Sequence, residues 1–178
     1  GAPSARRAPH DLVDFGIRIL RSLWYGDIGA GRLFEKARLK LDLQEGAMLF
    51  HTFGSQRERR EFGGSDFIEL QYCRLPLGTE VEKILSADAI EHWAEDSLYI
   101  YGDDMDAFYS SYGAIMEGGI HADMRRGPMD CFGINFYFWR QAVQIMERME
   151  KVRPPEYQTV SGWLREGRRF LGFYILGI

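Results

Sequence analysis

The chain has 178 residues, of which 46% are apolar and 25 are aromatic, and a formal net charge of −4. Intrinsic disorder is excluded, and a domain of this size buries roughly 70% of the surface its unfolded chain exposes, so neither a disulfide nor a metal is needed to hold a core. No apolar run approaches the ~20 residues of a membrane-spanning helix; the longest, Phe170 to Ile178, is broken by Gly172 and Gly177.

Residues 1–9, with two Pro, two Arg and no apolar core, read as a flexible tail that is neither a secretory signal nor a transit peptide. Leu12, Val13, Gly16, Ile19, Leu20, Leu23 and Trp24 recur at three- and four-residue spacings, which predicts an amphipathic helix over 11–24. Ala37, Leu39, Leu41 and Leu43 alternate with charged residues, and Glu45-Gly46 offers a turn into 48–53, so a hairpin is expected. The polar stretch from Gly54 to Asp66 reads as a long mobile loop before a strand at 67–73.

Ala87, Ile90, Trp93 and Ala94 are spaced for a short helix capped by Ser86, and Leu98 to Tyr101 forms a compact strand. Met105, Phe108, Tyr109, Tyr112, Ile115 and Met116 predict a helix over 104–117 closed by Gly118-Gly119. The apolar run from Cys131 to Trp139 suits a buried strand, and a helix from Ala142 to Val152 should stop at Pro154-Pro155. Tyr157, Val160 and Leu164 mark one more helix, and Phe170 to Leu176 a final strand. This order predicts a single α+β domain over 10–178: a mixed, mostly antiparallel sheet of about six strands with helices packed over it.

Charge is unevenly placed. Residues 88–123 carry nine acidic side chains and no Lys or Arg: Asp88, Glu91, Glu95, Asp96, Asp103, Asp104, Asp106, Glu117 and Asp123. Folding either brings arginines such as Arg57, Arg59, Arg60, Arg125, Arg126, Arg165, Arg168 and Arg169 alongside, or leaves a negative surface that steers a basic partner. Divalent metal binding is the third use of such a set. Cys73 and Cys131 show no C-x-x-C spacing and are expected to be two buried reduced thiols, which suits the cytoplasm.

Tyr101-Gly102-Asp103-Asp104 is spelled like the metal-binding motif of viral RNA-dependent RNA polymerases, a resemblance that would imply aspartates presented to divalent metals on a strand-turn-strand. Here the residues after Asp104 follow a helical period, and the chain is too short for a polymerase. The plainer expectation is that Gly102 ends a strand, Asp103 caps the next helix, and Asp104 and Asp106 complement its dipole. His92 would share a helical face with Asp88, Glu95 and Asp96, and His121 stands two residues from Asp123, so each is an acid/base or metal fragment. No zinc pattern, nucleophile elbow or phosphate loop appears, and Gly26 to Gly31 reads as a turn. The arginine groups in the 57–60 and 165–169 stretches sit in an acidic chain, which argues against nucleic acid.

With no assembled catalytic set, the expected function is a non-catalytic cytoplasmic binding protein with no cofactor, no metal, no membrane contact and a basic protein partner. In size and charge it is similar to immunity proteins that block secreted bacterial toxins. Asp88, Glu95, Asp96, Asp103, Asp104 and Asp106 would steer, and exposed members of Tyr99, Tyr101, Tyr109 and Tyr112 would anchor. A small enzyme with a His/carboxylate or metal site and a structural subunit that buries its C-terminal aromatics in an oligomer are the alternatives.

Overall fold

A computed structural model describes residues 48–63 and 66–177. The expected tail, first helix, Gly26–Gly31 turn and first hairpin strand lie outside these residues. The elements are α1 (Gln56–Gly63), β1 (Phe67–Cys73), α2 (Val81–Ile84), β2 (Leu98–Tyr101), α3 (Met105–Tyr112), β3 (Gly119–His121), β4 (Arg126–Gly127), β5 (Ile134–Phe138), α4 (Trp139–Val152), α5 (Tyr157–Glu166) and β6 (Gly172–Gly177). The six strands form one sheet in the order β2-β1-β6-β5-β3-β4, and every neighbouring pair is antiparallel. The α+β class is as expected, with no parallel neighbours among the described strands. Two helices, α4 and α5, link β5 to β6; a single crossover helix would return the chain parallel, and the second reverses it once more.

Both faces of the sheet are covered, which is why β1 is buried along its whole length instead of alternating. On one face Ile68, Leu70, Tyr72, Tyr137, Phe173 and Ile175 pack with Phe108, Ile145, Met149 and Leu164 of α3, α4 and α5. On the other, Cys73, Phe136, Tyr174 and Leu176 meet Ile84 and Leu85 from the segment around α2, while Phe67 and Tyr99 pack with Phe53. Buried tyrosine hydroxyls tie carbonyls of helices and turns to this core: Tyr72 donates to Trp163 O at 2.6 Å, Tyr112 to Pro155 O at 2.6 Å, Tyr137 to Met116 O at 2.6 Å and Tyr174 to Ile84 O at 2.8 Å.

Four expectations are corrected. The stretch 54–66 is not simply a loop, because it holds α1: Ser55 Oγ accepts the Glu58 N–H at 3.1 Å and Glu58 Oε2 accepts the Gly54 N–H at 2.9 Å, a reciprocal cap. The second expected hairpin strand, 48–53, is irregular and makes one bridge, His51 to Tyr99. The helix expected over 87–94 is absent; a single 3-10 turn at Ala87–Ala89 gives way to an extended path, and the Ser86 hydroxyl donates to Lys83 O. Here Gln71 intervenes from β1, accepting the Glu91 N–H at 2.9 Å and donating to Glu91 O at 2.8 Å. The helix expected over 104–117 ends at Tyr112, and Gly118, at φ +93°, turns the chain into β3. A Cβ on Gly119 would stand 2.7 Å from Tyr137 Cζ, so this strand needs glycine to lie under the ring.

Candidate functional site

The acidic segment divides across edge strand β2. Before it, Arg74 gathers Asp96, with Nη2 at 2.8 and 2.6 Å from its two oxygens, and Glu91 at 3.9 Å. Glu95 and Asp88 are exposed and have no ion-pair partner among the described residues. After β2 come Asp103, Asp104 and Asp106, also without ion pairs among the described residues. At about 3.3 Å per residue, the four-residue strand separates the two groups by about 13 Å. Of the arginines expected to neutralise this segment, only Arg125 forms an ion pair with one of its members, Asp123, at 3.7 Å; Arg57 pairs with Glu61 and Arg165 with Glu150. Arg74, which sequence reasoning passed over, does the pairing. Six of the nine carboxylates, the five above and Glu117, therefore stand without an ion pair among the described residues.

The start of α3 is where the charges concentrate. A 3-10 turn, Gly102–Asp104, leads directly into the helix, so Tyr101-Gly102-Asp103-Asp104 runs strand to helix and not strand to strand. Asp104 rather than Asp103 occupies the cap position, and its side chain makes no capping hydrogen bond; the three carboxylates stand in sequence at the positive end of the helix. Burial pushes the Cys131 thiol up, and the negative charges of Asp130 and Asp106 push it further. Asp130 belongs to a turn built by Asn135, whose Oδ1 accepts the Asp130 N–H at 2.8 Å while its Nδ2 donates to Asp130 O at 2.6 Å. Beside Cys131 on this turn, Phe132 is 83% exposed.

The tyrosines sort differently from the expected set. Tyr99 and Tyr112 are fully buried and present no exposed ring to the outer surface; Tyr101 is half-buried against Phe62 and Phe67; Tyr109, on α3, is 47% exposed. Asp130 and Phe132 were missed as site residues because the run from Cys131 to Trp139 reads as unbroken strand. The available signal was Asp130 followed by Gly133, a turn pair.

The histidine fragments do not assemble. His92 is exposed on a non-helical path, so the i−4 and i+4 carboxylates do not share a face with it. Asp123 is taken up by the Arg125 N–H at 3.0 Å and its guanidinium, and His121 Nε2 is buried without a hydrogen-bond partner among the described residues. Among the described residues, no three His, Cys, Asp or Glu side chains converge as a metal site requires. Cys73 and Cys131 are both free and buried. A shallow cleft of about 630 Å³ is lined by Arg165, Glu166, Arg168 and Arg169.

One further group of polar side chains lies under α1. Glu69, fully buried on β1, accepts hydrogen bonds from Gln71 Nε2 and the Tyr99 hydroxyl, each at 3.0 Å, through Oε1 alone. Burial pushes its carboxyl above the ordinary 4.5, against the opposing pull of Ser97, Gln71, Tyr99 and the Arg59 charge.

No protein-family model, curated protein or solved structure matches the chain. Among the described residues, no helix is long and apolar enough to cross a membrane.

Proposed function

We propose that the chain is a non-catalytic cytoplasmic binding protein, an immunity-type inhibitor that docks a basic, toxin-like protein on the surface formed by the start of α3 and the Asp130–Gly133 turn. The observation that supports this reading is a set of carboxylates without an ion pair among the described residues, Asp103, Asp104 and Asp106 at the start of α3 and Asp130 on the turn before Cys131, which packs in one core cluster with Phe108 of α3, together with two exposed rings, Tyr109 and Phe132. Carboxylates of one sign steer a cationic surface into place, and exposed rings bury apolar area once it arrives. Asp88 and Glu95, on the far side of β2, add to the long-range field more than to contact, whereas Asp96 is compensated by Arg74. The C-terminal rings Phe173 and Tyr174 are covered within the chain, so their burial calls for no second subunit.

The test is capture of a partner on immobilised wild-type chain and on an Asp103→Lys/Asp106→Lys variant, followed by association rates across a salt series. A partner rich in Lys and Arg is expected, with association slowed about 10- to 100-fold in the variant at low salt and the difference shrinking as salt rises. A partner that associates with both chains at the same rate would overturn the proposal.

A further inference from the structure

Helix α1 covers the second face of the sheet with little to hold it. Arg59 is its single buried side chain; Phe62, 51% exposed, touches His51 and Phe53 with ring centroids 4.6 and 5.3 Å apart, and the other described side chains are exposed or half-buried. An arginine is an unusual anchor, since a buried guanidinium is costly unless all its donors are met. Its Cζ lies 5.5 Å from the Phe67 ring centroid and 5.6 Å from that of Tyr99, within cation-π range of both rings. Yet, among the described residues, Nε and Nη1 are buried with no hydrogen-bond partner, and so is Glu69 Oε2. Arg59 therefore reaches the rings but makes no ion pair with the carboxylate beside them. Its tether to α1 holds it short of the bidentate pairing that a guanidinium and a carboxylate form when free to align.

From this mismatch we infer that Phe67, Tyr99 and Glu69 form a guanidinium-binding cage, occupied in the closed molecule by Arg59 and filled by the arginine side chain of a partner when α1 lifts away. Two aromatic faces and one carboxylate with an open oxygen suit a planar cation that donates from its edge and stacks on its faces. A lysine ammonium, compact and strongly hydrated, fits such a slot poorly. The resident arginine acts as an internal competitor, so access is set by the fraction of molecules with α1 undocked. The cage shares no residue with the α3 surface, so each is tested by its own variants.

Removing the competitor tests the cage directly. In Arg59→Ala, ethylguanidinium at millimolar concentration is expected to raise the melting temperature saturably and more than ethylammonium does, and this difference should vanish in Arg59→Ala/Glu69→Gln. If Arg59→Ala does not fold by itself, ethylguanidinium present during refolding is expected to restore the native signal. Equal effects of the two cations, an undiminished effect without Glu69, or no recovery of an unfolded variant would each overturn the cage. For the partner's arginine, the peptide acetyl-Gly-Arg-Gly-amide should bind Arg59→Ala about 10- to 1000-fold more tightly than wild type, as for a site open ~0.1–10% of the time. Equal affinity for the two chains, or equal binding of the lysine peptide, would refute displacement of Arg59.

Discussion

Tyr72 lies between Trp163 and Phe170, with ring centroids 4.1 and 5.0 Å away, and its hydroxyl meets the Trp163 carbonyl at 2.6 Å. Tyr72→Phe keeps the stack and removes one of the two hydrogen bonds on that carbonyl, which also accepts the Gly167 N–H, at an expected cost of about 0.5–1.5 kcal/mol in urea unfolding. A loss below about 0.5 kcal/mol would mean that water reaches the carbonyl and replaces the bond. Glu69 carries the opposite kind of lesson, a polar group whose burial weighs against its charge. Because its folded pKa is raised above 4.5, the stabilisation it contributes is complete below 4.5 and is lost as pH rises through the folded value. Glu69→Gln has no such titration, so its stability relative to wild type should climb as pH increases above 4.5. Urea midpoints over a pH series decide this, and a difference that stays flat or declines with pH would contradict it.

Helix α1 is held by its cap as much as by its packing, being far shorter than the ~12–15 residues at which isolated helices become even marginally stable. Ser55→Ala removes the cap and should cost about 1 kcal/mol, read as roughly fivefold faster amide exchange within α1 while β1 is unchanged. Unaltered exchange would show that Arg59 and Phe62 suffice to hold it. Elements with a strong period were legible in sequence: β1, β2, α4, α5 and β6 fall where apolar spacing places them, because local pattern and tertiary demand agree. Helix α1 was hidden by its charge, although Ser55-x-x-Glu58 spells a capping box. The helix expected over 87–94 failed for a non-local reason, since the Gln71 amide takes the Glu91 backbone for itself. The site was legible as charge and obscure as surface. Nine carboxylates without a cation are visible in any reading of residues 88–123, whereas the burial of Tyr99 and Tyr112, the exposure of Phe132 and the meeting of Arg59 with Phe67 and Tyr99 all depend on contacts between distant segments.

Across the whole molecule, burial raises five tyrosines, Tyr72, Tyr99, Tyr112, Tyr137 and Tyr174, above the ordinary 10.0. Each contributes stability that is intact below pH 10 and is lost as pH rises beyond it, because the unfolded chain ionises first. Alkaline titration should therefore show the phenolate absorbance of these rings appearing together with the loss of tertiary circular dichroism. Gradual ionisation of all five in a still-folded chain would refute the tie between their hydroxyls and the fold.

The bridge between His51 and Tyr99 also bears on how this protein can be approached. Among the described residues, strand β2 ends one side of the sheet, yet Tyr99 spends both of its outward backbone groups on His51 and Ser97 gives its N–H to Ala94. At the opposite side, β4 is two residues long. Among the described residues, neither border offers an incoming strand a long ladder to extend, which protects the sheet from edge-to-edge aggregation. It also closes recognition by strand addition along these borders. Whatever binds the described surface must do so through side chains, and there the acidic face of α3 and the rings beside it are what a partner meets.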